Sequence, residues 1–582
     1  MMKKPIGILN VKNILLCFIV TFYFSYIHAQ SFLWSGYGRG QGIVTSVASN
    51  EQGNCFLTGW LTKDFTVHFG PYTLMDPTVT HPQLEQFLVK YSHNGNLLWA
   101  KQTIDSGVGG AQSGGSICPD RFGNLYLASN FTDTLIIGTY TVVNTRELDS
   151  YVAKYDPLGN VKWVTHSTCN RTNGGTGNEH ISCDINGNVY LSGAFGDTVN
   201  FGGHTIIDSS IQFNIFLVKY DSNGNVKWAK QSSGDGGNVS FSNTNDQFGN
   251  SFVTGEFEDT LSFDSYQLIG GENGDFYVVK YDSNGNVKWV KKNIEIGSGI
   301  AVGVSLAADL TGNVYALGQF TDSIIFGHDT LMAPARLSSF FIAKYDPNGN
   351  LLWVKEPKIL DNNSWNAWSL SIDNYKHLYL SVGGGYHTCK IAFGGDTLSM
   401  YDTASRDAAS VIFKLDSNGN AICSSIVPAG GAQQPNAIAS DTSGNYVYFG
   451  ATALTPVIFG KDTVNPFSIP APSGGNGFPF AARWEECNPN VIYAGIQDVK
   501  PIGQVVLYPN PNNGSFTLAL QNVNEPAQVE VYNMLGENIY KTKLNPTNTV
   551  LSLNGQSNGV YFYRVIEENG DLVGSGKMVI EK

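Results

Sequence analysis

Tyr220–Gln231 reads YDSNGNVKWAKQ, and Tyr281–Lys292 repeats it almost unchanged as YDSNGNVKWVKK. An acidic, Asn-rich turn followed by a Trp fits two different things: a ligand site copied along the chain, or the joint of a repeated structural unit. The other copies decide between them. An apolar strand ending in Lys-Tyr, the turn and a Trp recur at Phe87, Tyr151, Phe216, Phe276 and Phe340, with a worn copy, VIFKLDSNGNAICSSI, at Val411. The lysines of this signature, Lys90, Lys154, Lys219, Lys280, Lys344 and Lys414, lie 64, 65, 61, 64 and 70 residues apart. A fixed period of this length marks a repeat architecture.

A second signature, close to DxxGNxYxxGxF, precedes each copy at Glu51, Asp120, Asp184, Asp246, Asp309 and Asp373, and occurs once more at Asp441, which makes seven. A third piece, roughly DTxxFG, sits between the two, as in DTVNFG at Asp197 and DSIIFG at Asp322. Apolar and polar residues alternate with period two: Phe216, Val218 and Tyr220 share one face, and Leu217 and Lys219 the other. Two hairpins per unit make a four-stranded antiparallel sheet, with DTxxFG as an added hairpin or loop. Such a sheet cannot bury both faces alone, so its copies must stack. The fold class that follows is all-β: a seven-bladed β-propeller over residues 31–487, then a small C-terminal β-sandwich.

The repeat count also predicts ring closure. The last Lys-Tyr-like strand, FPFAARWEECN at Phe478, is followed by no NGNxxW strand, whereas SFLWSGYGRG at Ser31 places Trp34 65 residues before Trp99. Ser31–Gly38 is therefore read as the outer strand of the final blade, supplied from the other end of the chain.

The bulk composition agrees. A chain of 582 residues is too long for one ordinary core, and only 14% of it is charged while it holds 65 Gly and 12% aromatics. The net charge of −13 and the absence of a basic patch argue against nucleic acid and a membrane surface. Lys3, Lys4 and Lys12, the apolar run Ile14–Tyr26 and Ala29 read as a signal peptide over 1–29, the run being short for a span. Seven cysteines remain after cleavage, with irregular spacing that indicates neither a disulfide framework nor a CxxC metal site. Buried free thiols, or one or two bridges, are the reading adopted.

The KYDxxGNxxW and DxxGNxYxxGxF signatures resemble the bacterial seven-bladed β-propeller repeat known as the SBBP repeat, over about Ser31 to Cys487. The sixth copy departs from the pattern at Leu415 and Ala421–Ile426. After a linker at 488–502, residues 503–582 change rhythm. Tyr508, Pro509, Asn510, Pro511, Gly514 and Phe516, the VYNMLGE turn, GVYFYRV at Gly559 and the closing GSGKMVIEK resemble the C-terminal sorting domain of the type IX secretion system, with Asn533 where Asp is common. The resemblance implies passage across the outer membrane through that machinery, then release or attachment at the cell surface. It is an address and not an activity.

For chemistry, the middle of the DxNGN loop varies. Pro157 and Leu158 offer no side-chain oxygen, and Ser92 replaces the first Asp, so a hairpin turn is preferred to a calcium loop. Trp34, Trp99, Trp163, Trp228, Trp289 and Trp353 share one repeat position and read as inter-blade packing before sugar platforms. Trp365, Trp368 and Tyr386, which break the repeat, are the better lectin candidates. Thr134, Thr198, Thr260, Ser323, Thr397 and Thr463 match the Asp-Ser/Thr-apolar pattern used for O-glycosylation in bacteria carrying such tails, although their fixed place favours a turn role. No catalytic, cofactor-binding or metal residue is assigned: GxSxG, HExxH, P-loop and dinucleotide motifs are all missing. The expectation is a monomeric, non-enzymatic surface or extracellular propeller binding an unknown glycan or protein. The alternative is a polysaccharide-active hydrolase or lyase on the same scaffold.

Overall fold

The computed structural model describes residues 32–37, 42–484 and 504–582, apart from 62–65, 76–84, 106–114, 145–147, 170–174, 209–211, 272, 297–298, 361–362, 387, 395, 402–407, 428–431, 454–456, 460–461, 465–477, 522–526, 534–537, 545–547 and 568–571. The described residues form strands and turns, in two compact units, Met1–Asn488 and Pro489–Lys582. The linker expected at 488–502 lies outside the described residues.

The third strand of a unit shows how the first fold is built. In Asn214–Tyr220 all seven residues are buried. Phe216, Val218 and Tyr220 pack into one cluster with Tyr126, Ala128 and Val152 of the preceding unit, whereas Leu217 packs into another with Val253, Phe257 and Tyr277 of the following one. Period-two alternation sorts side chains between two neighbours, not between core and water. Each sheet is buried on both faces by its flanking copies.

Among the described residues the first unit contains six sheets of four strands and one of six. In the third sheet the order is Gly175–Cys183, Val189–Gly196, Asn214–Tyr220, Val226–Gln231, all antiparallel. The first strands of successive sheets lie side by side, and Gly42–Ser49 of the first sheet lies beside Ala432–Ser440 of the last, so the sheets stand in cyclic order. The last sheet takes its fourth strand from the other end of the chain. Phe32–Tyr37 pairs antiparallel with Phe478–Trp484, placing Trp34 opposite Arg483 and Tyr37 opposite Phe480.

The DTxxFG piece is a two-stranded hairpin such as Thr198–Phe201 with His204–Ile207. Its partner is the preceding unit: Val161–Cys169 runs past its own sheet and pairs with Thr198–Phe201, and Ile104–Asp105, Ser233–Gly234, Ile294–Ile296 and Lys358–Ile359 do the same for the hairpins that follow them. At four of the hairpins the residue before the first strand is an Asp with a left-handed φ, between 53° and 64° at Asp133, Asp197, Asp259 and Asp322. Its carbonyl accepts an N–H from the residue leaving the hairpin, as in Asp208 to Asp197 at 2.7 Å. Asp is one of the few side chains that tolerate this conformation, which gives the fixed triplet a turn role.

A disulfide joins Cys118 and Cys183 on the first strands of the second and third sheets. Cys423 is also disulfide-bonded, whereas Cys55 and Cys169 are in no disulfide and Cys55 is fully buried.

The second unit holds a three-stranded sheet (Gln504–Tyr508, Ser515–Gln521, Asn548–Ser552) and a four-stranded one (Asn538–Leu544, Ala527–Tyr532, Gly559–Glu567, Leu572–Ile580), with a common core that includes Phe516, Leu518, Val529, Val565 and Met578. Buried Glu530 accepts from Lys541 at 2.8 Å, the Tyr532 hydroxyl at 2.5 Å and Arg564 at 2.7 Å, and these donors hold its carboxyl down to about 2. An unfolded Glu titrates near about 4.3, so the stability this group contributes is complete above that value and is lost as the pH falls towards 2. Melts of the full chain between pH 5 and 2 should show a falling transition for the tail. The slope should flatten in Glu530→Gln, and an unchanged slope would count against this cluster.

Candidate functional site

The opening turn is internally saturated. The Asp221 N–H donates to Asn225 O and the Gly224 N–H to Asp221 O, both at 2.9 Å. Asp221 Oδ1 accepts from the N–H groups of Asn223 (2.9 Å) and Asn225 (3.0 Å), and Asn225 Nδ2 donates to Oδ2 at 3.0 Å. Burial raises the carboxyl, but the Asn225 and Asn223 bonds and Lys227 outweigh it and keep Asp221 below the ordinary range. The same bonds recur at Asp156, Asp282, Asp346 and Asp416, and in the turn between first and second strands at Asp120, Asp184, Asp246 and Asp309. Both carboxylate oxygens bond to their own turn, which is the work of an Asx turn and not of a cation loop. Among the described residues no group of three or more His, Cys, Asp or Glu is placed to hold a metal ion.

What the turn offers outward is a backbone carbonyl, and the preceding sheet grips it. Lys219 Nζ donates to Ser283 O at 3.1 Å, and the Trp228 indole N–H donates to the same oxygen at 3.2 Å. Lys90 with Trp99 on Pro157 O, Lys154 with Trp163 on Ser222 O, and Lys280 with Trp289 on Pro347 O repeat the pair. Lys344 takes Ser417 O at 3.0 Å, while the Trp353 indole N–H has no acceptor among the described residues. The turn glycine then lies on the Trp face. A Cβ on Gly349, whose φ is +82°, would stand 2.8 Å from Trp289 Cδ2 and Cγ. The recurring Trp, Lys, Gly and Asp are thus one joint between neighbouring sheets.

Two further ties repeat. The Tyr190 hydroxyl donates to Gly249 O of the next sheet at 3.1 Å and to Asp184 Oδ2 at 3.3 Å. Ser116, Ser242 and Ser305 accept from the N–H of Ile181, Leu306 and Leu370 on the following first strand. The first and last sheets meet through the same contacts: Tyr448 donates to Gly53 O, and Arg483, at the lysine position, donates to His93 O at 3.1 Å. Phe56 and Phe252 occupy the tyrosine position in two sheets, so one hydroxyl tie is dispensable. Tyr190→Phe should cost about 1 kcal/mol, the net worth of one hydrogen bond, measured by denaturant unfolding. A loss several times larger would show that the tie acts beyond its own bond.

Of the lectin candidates, Trp365 is 0% exposed inside the core between the fifth and sixth sheets, so it is no sugar platform. Trp368 is half-buried with an indole N–H that has no acceptor among the described residues. The side chains of Tyr386, Trp34 and Thr463 lie outside the described residues. Thr134, Thr198, Thr260 and Ser323 are half-buried at the hairpin starts, and Thr397 is exposed.

Buried titratable groups are scattered singly. Burial pushes Asp149 up to about 7 against the hydrogen bond from Ser167, and pushes His180 down to about 4. Glu179 accepts from Asn130 Nδ2 at 3.0 Å and Ser150 Oγ at 2.7 Å, and Asp275 pairs with Lys292 at 3.1 Å. The sequence reading passed over the outward residues of the turns between first and second strands. There Phe122 (59%), Phe248 (62%) and Tyr375 (72%) are exposed. The signal was present: a large aromatic at a turn position where its repeat partners are Asn186, Thr311 and Ser443.

Comparison with known proteins addresses the second unit. Residues 506–581 match the model of the secretion system C-terminal sorting domain. The type IX secretion system exports this chain. Its destination is the cell surface or the extracellular space, and the tail is the segment that engages the export machinery. An uncharacterized WD repeat-containing protein of Acanthamoeba polyphaga mimivirus is 24% identical over 417 residues, covering 57% of this chain but only 28% of that protein's length. Among solved structures, PorZ, a surface component of the type IX secretion system of Porphyromonas gingivalis, aligns over 93% of this chain and 81% of its own at 10% identity and a TM-score of 0.21. An ulvan lyase of a new polysaccharide lyase family aligns over 74% and 96% at 10% identity and a TM-score of 0.38. The periplasmic gluconolactonase of Pseudomonas aeruginosa aligns over 73% and 95% at 10% identity and a TM-score of 0.35.

Proposed function

We propose that residues 31–487 form a seven-bladed β-propeller of the SBBP-repeat type, closed by Ser31–Gly38, preceded by a signal peptide at 1–29 and followed by a linker at 488–502 and a sorting β-sandwich at 503–582. Once exported, the propeller acts as a monomeric, non-enzymatic binding or adhesion module for a glycan or a protein outside the cell. The observation that carries this reading is the division of labour within the turns. Their recurrent polar groups bond to their own turn or to the next sheet, and the outward positions beside them change from copy to copy. A scaffold of that kind holds its sheets rigid while the displayed surface varies.

The test is to screen the mature secreted protein against a broad glycan array and extracellular protein extracts, alongside hydrolysis and elimination assays on the same polysaccharides. Binding without release of fragments supports the module. Release of oligosaccharide by the wild-type protein overturns it in favour of a polysaccharide-active enzyme.

A further inference from the structure

The turns between first and second strands follow one another around the inner strands on one face of the ring. Each touches the next. A Cβ on Gly123 would meet Gln52 Oε1 at 3.7 Å, and one on Gly312 would meet Phe248 Cε2 at 3.6 Å. Gln247 Nε2 donates to Leu310 O, Lys376 Nζ to Thr311 Oγ1 at 3.2 Å, and the Asn374 N–H to Thr442 O at 3.0 Å. The Tyr126, Tyr190 and Tyr448 hydroxyls tie three further turns to their successors. The result is a continuous and braced surface.

Read in ring order, the third residue of these turns is Gln52, Phe122, Asn186, Phe248, Thr311, Tyr375 and Ser443. From Gln52 to Ser443 aromatic and neutral hydrogen-bonding side chains alternate, two polar residues, Ser443 and Gln52, meet where the last turn joins the first, and no ionised group occupies the position. Phe122, Phe248 and Tyr375 are more than half exposed. Ile185 (46%) and Leu310 (45%) fill the second position of the two intervening turns. The nearby cations are already engaged: Arg121 lies 4.8 Å over the Phe122 ring, and Lys376 lies 3.7 Å from Asp309. A packing role does not explain large aromatics standing in water on rigid turns, and exposed apolar surface of this kind marks an interaction site.

The alternation selects the ligand. Pyranose rings present apolar C–H faces that stack on aromatic rings, and hydroxyls at their edges that bond to amides and alcohols. A chain of neutral sugars therefore needs aromatic and uncharged polar groups in turn. We infer that the arc of turns from Phe122 to Tyr375 is a binding surface for a neutral polysaccharide. This inference rests on the reading of the ring as a binding module and names its ligand class and face.

Affinity electrophoresis of the mature secreted protein in gels containing neutral glucan, mannan, xylan or galactan, with alginate and a sulfated galactan as anionic controls, tests it. At least one neutral polysaccharide should retard the protein, and 1 M NaCl should leave the retardation intact. Phe122→Ala, Phe248→Ala and Tyr375→Ala should each weaken binding about five- to tenfold, and the triple variant should run as if the gel held no glycan. These side chains are exposed, so melting should stay within about 2 °C of wild type. Equal retardation of wild type and triple variant would overturn the location while leaving the module reading intact. Retention by the anionic gels alone, or capture only by a purified protein, would overturn the ligand class. Release of oligosaccharide from the retarding glycan would overturn the module reading itself.

Discussion

Removing residues 30–38 lowers the melting temperature of the repeat unit by about 10 °C or more. The estimate follows from what Phe32–Tyr37 contributes to Phe478–Trp484. Five residue pairs are in register, from Phe32 opposite Trp484 to Tyr37 opposite Phe480. At about 1 kcal/mol net for each backbone hydrogen bond, their loss alone approaches 5 kcal/mol. Phe480 and Trp484, each 1% exposed, would then sit on an unpaired edge, adding on the order of 2 kcal/mol apiece through lost burial. An exposed edge strand also invites intermolecular pairing, so the truncated protein should aggregate near its transition. Thermal melts of the secreted protein with and without the segment measure this. An unchanged transition would mean that the ring does not depend on its first strand.

The second large effect is at the joint between the fourth and fifth sheets. Trp289 is 6% exposed, donates to Pro347 O at 3.1 Å, lies 5.9 Å from Phe252 and 6.0 Å from Tyr345, and carries Gly349 on its face. Trp289→Ala should cost about 3–5 kcal/mol, the usual range for emptying a buried Trp site. Gly349→Ala meets two penalties, a positive φ and a Cβ 2.8 Å from the indole. In the Trp289→Ala background the clash with the indole disappears, leaving a 3.0 Å approach to the flexible Lys291 Cε and about 1 kcal/mol of backbone strain. The two substitutions should therefore be strongly non-additive in denaturant unfolding. Additive losses would separate the glycine from the tryptophan and dissolve the joint as described.

Much of this was legible beforehand because the repeat carries its own geometry. Lys219, Trp228 and Gly285 recur in every full copy since all three touch one turn, and counting them gave the strand order within a unit. The partner of the DTxxFG hairpin was not legible. Pairing of Thr198–Phe201 with the end of Val161–Cys169 joins consecutive units, and period-two patterning inside one unit cannot point to a neighbour. The worn sixth copy had a reason no single repeat could show. Cys423 stands opposite Lys414 where Trp99 stands opposite Lys90. The next sheet ends its third strand at Trp484 and takes its fourth from Phe32–Tyr37, so no turn joins those two strands for a tryptophan to cover. Exposed Phe122 and Tyr375 were overlooked because a search for shared features discards whatever varies, and ligand contacts belong to that remainder.

The joint has a direction: donors on one sheet, acceptor on the next. Contacts of that head-to-tail kind close into rings or run on as filaments, and the rotation per step decides between them. Here the series closes, because Tyr448 and Arg483 of the last sheet grip Gly53 and His93 of the first, and only the joint before it is altered, where a unit that has lost its indole meets a unit that has lost its turn. The leading strand then completes that final unit. Supplied by the same molecule it makes a self-contained particle, and supplied by another copy it would fasten two molecules through an identical seam. In this structure the six residues Phe32–Tyr37 are supplied by the same molecule, so one strand at the far end of the chain makes the series self-contained.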